Sequence, residues 1–451
     1  MATATKRLDH VTAAYERHFN FGLARMFAAA HCPIEERGAG IYLSDHTGKR
    51  YLDFATSFGV FNLGHCNRAV RAAVLTQAER IASSPFCLVS EAEIKLRKRL
   101  QELLPGSLNS IIFAGSGSDS TEVALRLAIL VTGRRKIVST TKGYHGKTLG
   151  ALSIIGQRHL RQPFVPLLED AVFADAGDPT SVVAAVDQQT AAVFVEPVVA
   201  GNYLVVPPKG YLAAIRERCD QTGALMVVDE VQTGFGRTGY LFGVDRDSVI
   251  PDIMLLSKAL TGGHIPIAAT AFSDTIAGHL AALSLPHRQS FESPSAGWPI
   301  ACAAALAAIE ETIENKLVEN AAKQGVVLLN GLQKLAALYP RLIRRADGLG
   351  LMTGIILRNR AVEFALYLKM ARRGIVTGLS LNSVTRTPVL RFYPPLTVSF
   401  NEIAIFLEAL EDSLRELNRL PAALLDIVHY AARYTPYFPR TLADFGAKIF
   451  G

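Results

Sequence analysis

Cysteine is scarce and unorganised in this chain: five residues (Cys32, Cys66, Cys87, Cys219 and Cys302), with no CxxC pair and no zinc-ligand spacing. That excludes a disulfide framework and reads as the free thiols of a cytosolic protein. Long apolar runs are missing too. Nothing approaches the roughly 18 consecutive apolar residues of a membrane span. The opening stretch MATATKRLDHVTAAYERH lacks an apolar signal core and carries Asp9 and Glu16. No targeting segment or membrane contact is therefore expected, and the expected location is cytoplasmic. The formal charge is +7, but no basic run gathers it into a patch. A nucleic-acid partner is not expected on that ground, and the positive excess is a general bias toward anionic ligands. The 11 histidines show no ligand spacing, so no metal is expected, and serines such as Ser57 and Ser90 lack a GxSxG setting.

What is present is a globular composition, 49% apolar and 19% charged, in 451 residues. That is enough chain for two domains. The stretch GAGIYLSDHTGKRYLDF (38–54) alternates around an Asp-His-Thr-Gly turn and predicts a hairpin. From about residue 68, helical and short apolar segments alternate. AVRAAVLTQAERI and EAEIKLRKRLQELL have helical spacing; SIIFAG, the helix STEVALRLAILVTG and KIVST follow; then come AAVFVEP, the helix YLAAIRERCDQTG, LMVVDE and IMLLSK. This alternation predicts an α/β fold with a mostly parallel sheet covered by helices on both faces. Such sheets bind ligands in the crevice outside their strand carboxyl ends. An Ala-rich helix from about Pro299 to Tyr339, broken near Lys316 or Gly325, leads to a smaller α/β region, from GLGLMTGIIL through VLRFYPPLTVS. The apolar and aromatic last 30 residues predict a docked helix, with a segment lying on a membrane as the alternative.

The stretch VVDEVQTGFGRTG (227–239) runs from a core strand straight into Asp229 and Glu230. A carboxylate at the end of a buried strand is costly unless a positive partner meets it. Lys258, after the strand PDIMLLS and beside Gly262 and Gly263, is one candidate; near the crevice it is placed for Schiff-base chemistry, and taken alone it equally reads as a surface lysine. The stretch AGSGSDSTEVALRLA (114–128) joins a glycine-rich turn to a helix start. Its free N–H groups around Ser116, Gly117 and Ser118 form either a phosphate cradle or an ordinary capped helix, with Asp119 and Glu122 in the first turn. A dinucleotide fingerprint fails at Ser120. A nucleotide-binding loop at Gly146-Lys147-Thr148 fails because Thr141 stands where a glycine is needed. Tyr144, in KGYHGKTLG, is an aromatic able to stack on a flat heterocycle or to pack.

Taken together, the glycine-rich turn, Tyr144-His145-Gly146, DEVQTGFGRTG and Lys258 resemble the class III aminotransferases, pyridoxal-phosphate (PLP) enzymes of fold type I. The resemblance runs from YLDFATSFGVFNLGH (51–65) to LRFYPPLTVS (390–399). It implies an N-terminal segment (1–65) contributing to the small domain, a large PLP-binding domain (66–324) and a C-terminal small domain with an apolar tail (325–451). It also implies a catalytic pair. Asp229 would grip the protonated pyridine nitrogen, a pairing worth about 4 kcal/mol before desolvation at ~4 Å and an effective dielectric of ~20. Lys258 would hold the cofactor as a Schiff base and then move a proton between substrate and cofactor carbons. Val231 and Tyr144 would cover the ring faces, Gln232 would bond the phenolic oxygen, and Ser116, Gly117 and Ser118 would meet the phosphate.

Arg391 matches the family arginine that often binds a substrate carboxylate, for which bidentate guanidinium geometry suits; the alternative is an arginine tying down the small domain. The chain also departs from the family. Gly201, in EPVVAGN (196–202), replaces a glutamate that gates the arginine in some relatives, and a threonine segment whose hydroxyl reaches the neighbouring subunit's phosphate appears as QSFESPSAGWP (289–299). Ser290 is the first candidate for that hydroxyl and Ser295 the second. A hydroxyl supplied across an interface implies a closed twofold homodimer with composite sites. FGVFNLGHCN (58–67) resembles the branch acting on diamines and terminal amines. The expected reaction is therefore ping-pong transfer of an amino group between a primary ω-amine or its aldehyde and an amino acid/keto acid pair. An aminomutase, a racemase or a decarboxylating transaminase would use the same Lys258 and Asp229, and a non-catalytic scaffold derived from the fold is the remaining alternative.

Overall fold

The computed structural model describes residues 34–84, 88–291, 296–380 and 388–421, with four isolated positions before residue 18. The expected C-terminal docked helix, Ser295, Cys32 and Cys87 lie outside the described residues. Strands β1 (Glu35–Ala39), β2 (Tyr42–Asp45) and β3 (Arg50–Asp53) form an antiparallel meander, one strand more than the expected hairpin. Asp45 sets the turn: its Oδ1 accepts the N–H groups of Thr47 at 2.8 Å and Lys49 at 3.1 Å.

The central sheet comprises β4 (Ser110–Ala114), β5 (Lys136–Thr140), β6 (Ala171–Ala174), β7 (Thr190–Val195), β8 (Leu225–Asp229), β9 (Ile253–Leu256) and β10 (Ala268–Phe272). They lie in the order β4-β10-β9-β8-β7-β5-β6. Every pairing is parallel except those of β10, antiparallel to both neighbours. The period of two is visible in the packing. Val193, Val195, Met226, Val228, Met254 and Leu256 enter the core on one face; Ala192, Phe194, Val227, Ile253 and Leu255 enter the core on the other. A strand buried on both faces has no polar side, which is why these segments read as continuous apolar runs. Each fully buried Val or Phe contributes about 1.5–3 kcal/mol.

The helix Gly117–Thr132 starts where Ser116 Oγ accepts the Asp119 N–H at 3.3 Å and stops at Gly133, in the left-handed conformation. The Ala-rich segment breaks at Lys316, itself left-handed (φ 52°), into Pro299–Glu314 and Leu317–Leu338. Gly325 is inside the second helix, and the boundary expected at 324/325 therefore falls within a continuous helix. Gly325 has a different reason to be glycine: a Cβ there would lie 2.3 Å from the Gly350 carbonyl oxygen. Strands β11 (Ile343–Leu349) and β12 (Met352–Leu357) form a hairpin; β13 (Ile375–Val376) returns to pair parallel with β3; β14 (Val389–Phe392) completes a three-stranded sheet against β12.

The two regions are pinned together by Arg237, which is fully buried. Its guanidinium donates to the carbonyls of Leu351 and Pro394 and to Asn62 Oδ1, and its own carbonyl accepts the Leu351 N–H at 3.0 Å. Among the described residues, no helix is long and apolar enough to cross a membrane.

Candidate active site

Because β4, β5, β7, β8 and β9 run the same way, their carboxyl ends open on one edge of the sheet. A cavity of about 210 Å³ lies there, lined by Gly117, Ser118, Tyr144, His145, Gly146, Glu196, Asp229, Val231, Gln232, Ser257 and Lys258. Five strand ends, the first at Ala114 and the last at Leu256, thus supply one cleft. Of the residues expected from sequence, Gly117, Ser118, Tyr144, Asp229, Val231, Gln232 and Lys258 meet in it. Ser116 caps the helix beside it. Ser290 does not line it: the residue is exposed, and its Oγ donates to the His287 carbonyl at 2.7 Å. Arg391 is buried just beyond.

Asp229 ends β8 and is 5% exposed. Its Oδ1 accepts the Val231 N–H at 3.0 Å, and its Oδ2 lies 2.8 Å from His145 Nδ1. His145 is buried; burial alone would lower its pKa, but the bond to Asp229 and the charges of Asp229 and Glu196 bring it above the ordinary value. His145 falls within the Tyr144-His145-Gly146 turn, but nothing in its local spacing marks it as a partner of Asp229, 84 positions away. Glu196, just after β7, was also missed. Its Oε1 accepts the Tyr144 N–H at 3.0 Å and its Oε2 the Ala200 N–H at 3.4 Å. Burial pushes this carboxyl up to about 7, with His145 opposing and Asp229 adding to the rise.

Lys258 follows β9 and opens a short helical turn with φ 46°, a conformation uncommon for a side chain with a Cβ. Burial pushes its ammonium down to about 8; Asp229 and Glu196 hold it up and Arg391 lowers it. Tyr144 and Val231 are both part-buried at the cavity wall. A Cβ at Gly117 would press within 3.2 Å of Val231, so glycine keeps the first turn open. The N–H groups of Gly117 and Ser118 are the first two of the helix and precede its internal ladder. The amide of Gln232 has its Oε1 buried without a protein partner. Glu230 turns the other way: its Oε1 accepts the Val244 N–H at 2.8 Å, and Thr233 Oγ1 donates to its Oε2.

Arg391, on β14, is 2% exposed. Its Nη1 donates to the carbonyls of Ala200, at 2.7 Å, and Gly201, its Nη2 to Leu379 at 2.9 Å, and its guanidinium lies 4.2 Å from the centre of the Phe58 ring. Its Nε makes no hydrogen bond of normal geometry. Position 201 has no room for a side chain, since a Cβ there would come 2.5 Å from Tyr144 Cβ. Phe58 reaches the guanidinium from a left-handed turn, with Thr56, Ser57 and Phe58 all at positive φ.

A carboxylate at a strand end, a lysine of lowered pKa, an aromatic and an aliphatic wall, an unpartnered amide and a helix N-terminus fit a flat cofactor that carries a basic ring nitrogen, a carbonyl and a phosphate. Fold and cleft together define a fold type I PLP-dependent transferase. The sequence matches the Aminotransferase class-III family over residues 26–414, and the chain belongs to the class III aminotransferases. Its cofactor is pyridoxal 5'-phosphate and its reaction is transamination between an amine donor and a carbonyl acceptor. A putrescine aminotransferase from Pectobacterium atrosepticum is 39% identical over 395 residues, 85% of this chain and 83% of that protein. Among solved structures, a thermostable (S)-enantioselective omega-transaminase from Thermomicrobium roseum is 31% identical with a TM-score of 0.79, covering 91% of this chain and 98% of that one. A PLP-bound amine transaminase from an uncultivated Pseudomonas species is 29% identical with a TM-score of 0.78, over 85% of this chain and 95% of that one.

Proposed function

We propose that the protein is a cytoplasmic ω-transaminase that takes a short diamine or other terminal primary amine as donor and a 2-oxo acid as acceptor. The observation that carries the reading is the 39% identity to a putrescine aminotransferase across 85% of the chain. When bound, PLP supplies an electron-accepting ring and a carbonyl that takes up the amino group. In this reading Asp229, oriented by His145 and the Val231 N–H, meets the ring nitrogen and keeps it protonated. Tyr144 and Val231 hold the ring between them, Gln232 turns its amide to the ring oxygen, and Ser116, Gly117 and Ser118 direct N–H and hydroxyl groups at the phosphate. Lys258 carries the proton at its Nζ, and a pKa near 8 suits an amine that must both give and take one near neutrality. Arg391 receives the carboxylate of the oxo acid.

Ser290, exposed on the protomer, serves the phosphate of a second subunit in a closed twofold dimer. No nucleic acid or membrane takes part.

The test uses PLP-loaded protein with putrescine, a longer diamine, an alkylamine, ornithine, alanine and glutamate, each against pyruvate and 2-oxoglutarate. The new amino acid is quantified, with Lys258→Ala as control. Amination of the oxo acid by diamines or alkylamines, abolished in the variant, is expected. Turnover confined to donors bearing a carboxylate would overturn the donor assignment.

A further inference from the structure

Three observations converge on Glu196. Its two oxygens face different loops: Oε1 accepts from Tyr144, on the loop after β5, and Oε2 from Ala200, on its own loop. That second loop is closed by reciprocal backbone bonds between Val199 and Val205, at 3.0 and 2.9 Å, and by Asn202 Nδ2 donating to Gln157 Oε1 at 2.8 Å. Its tip presents the carbonyls of Ala200 and Gly201 to Arg391. The arginine is thus held by main-chain oxygens whose positions depend on the turn that Glu196 ties down. No carboxylate contacts the guanidinium among the described residues.

We propose that Glu196 is a positioning residue for the acceptor half-reaction: by gripping the N–H groups of Tyr144 and Ala200 it fixes the carbonyls that aim the Arg391 guanidinium, and so sets how tightly a carboxylate-bearing acceptor binds. Main-chain carbonyls neutralise a guanidinium less completely than a carboxylate would, so at contact distance an incoming carboxylate competes with dipoles, while the charge of Glu363 acts on the guanidinium without an ion-pair contact. The Arg391 Nε is buried and makes no hydrogen bond of normal geometry, and the Tyr393 hydroxyl beside the guanidinium is the group an incoming carboxylate would displace. Shifting the Ala200–Gly201 turn would let the guanidinium turn away from the acceptor while Lys258 and Asp229 keep their places after β9 and at the end of β8. The inference rests on the reading that Arg391 receives the acceptor carboxylate.

The experiment separates the two. Glu196→Gln, Glu196→Ala and Arg391→Met are prepared as PLP-loaded full-length proteins. KM and kcat are measured with one alkylamine donor and two kinds of acceptor: pyruvate and 2-oxoglutarate, which carry a carboxylate, and butanal, which does not. In Glu196→Ala the KM for both oxo acids should rise about tenfold relative to the KM for butanal, the loss of roughly one net hydrogen bond of binding; any change shared by all acceptors reports the effect of Glu196 on Lys258 and is divided out by that ratio. Glu196→Gln keeps one accepting oxygen and should fall between the two. An Arg391→Met variant with no preference lost between oxo acid and aldehyde would defeat the carboxylate reading itself, whatever Glu196 does. If Arg391→Met loses the preference and the Glu196 variants keep it, the positioning role is overturned. The role is equally overturned if Glu196→Gln loses both acceptors alike or no longer retains the cofactor absorbance, because Glu196 would then serve the cleft as a whole.

Discussion

The lowered pKa of Lys258 has a kinetic consequence that can be read without turnover. An amine attacks a carbonyl only in its neutral form. With a pKa of about 8, about one lysine in ten is neutral at pH 7; at the ordinary 10.5 it would be about one in three thousand. The cleft thus raises the reactive fraction roughly three-hundredfold. The assay is the rate at which apoenzyme takes up PLP, followed by stopped-flow absorbance between about pH 6 and pH 10. The same profile taken with free butylamine is divided out, which removes the cofactor's own titrations. The corrected rate should climb about tenfold per pH unit below 7 and level off above about 8. Two substitutions set the direction. Glu196→Gln removes a carboxylate that holds the ammonium up, so the midpoint should move lower, and Arg391→Met removes a cation that pushes it down, so the midpoint should move higher. A corrected rate still climbing one decade per unit past pH 9.5, as an ordinary lysine would give, refutes the argument that burial in this cleft tunes Lys258.

Two further outcomes follow from the buried charges. His145→Gln should lower kcat about tenfold to a hundredfold with the cofactor still bound, and Asp229→Asn should lower it about a thousandfold; equal effects of the two in steady-state assays would mean that His145 does more than orient Asp229. Glu230 and Glu363, both buried, are each pushed up to about 7 from 4.5 by burial. Their folded-state pKa values lie above the unfolded ones, so the stability they contribute is fully present below about 4.5 and is lost as pH rises through 7, by roughly 3 kcal/mol each. Apoenzyme melting temperatures measured at pH 5 and pH 8 should therefore differ less in Glu230→Gln than in the wild type, and an unchanged difference would count against this ionisation.

The central strands were legible because burial on both faces leaves uninterrupted apolar runs, as in β7 to β9. Strand β10 was not: AATAF is mostly alanine, which has little β preference, and its pairing with β4 and β9 comes from positions 110–114 and 253–256. Asp229 and Lys258 stood out because a charged group at the end of an apolar strand demands an explanation. His145 and Glu196 did not, because their partners are brought by other strands and no local spacing marks them. The helix break resolved to Lys316 and not Gly325 for a steric reason. Glycine weakens a helix but also permits close approach, and here Gly350 needs that approach. Arg391 was visible as a residue, yet its attachment to the carbonyls of Ala200, Gly201 and Leu379 was beyond any sequence pattern.

Arg237 bears on how such a signature should be interpreted when it turns up in other chains. The first half of DEVQTGFGRTG ends a strand on the cleft, whereas its arginine donates to Asn62, Leu351 and Pro394 and is not among the residues that line that cleft. One short string therefore reports two separate things, a carboxylate on the cleft at Asp229 and a buried tie between distant segments at Arg237. A descendant that had lost Lys258 would still need the arginine to hold Asn62, Leu351 and Pro394 together, and would still be gathered in by the glycine-arginine half of the string. On the proposed roles, competence is judged from Asp229 and Lys258; GFGRTG reports only the tie that Arg237 makes to Asn62, Leu351 and Pro394.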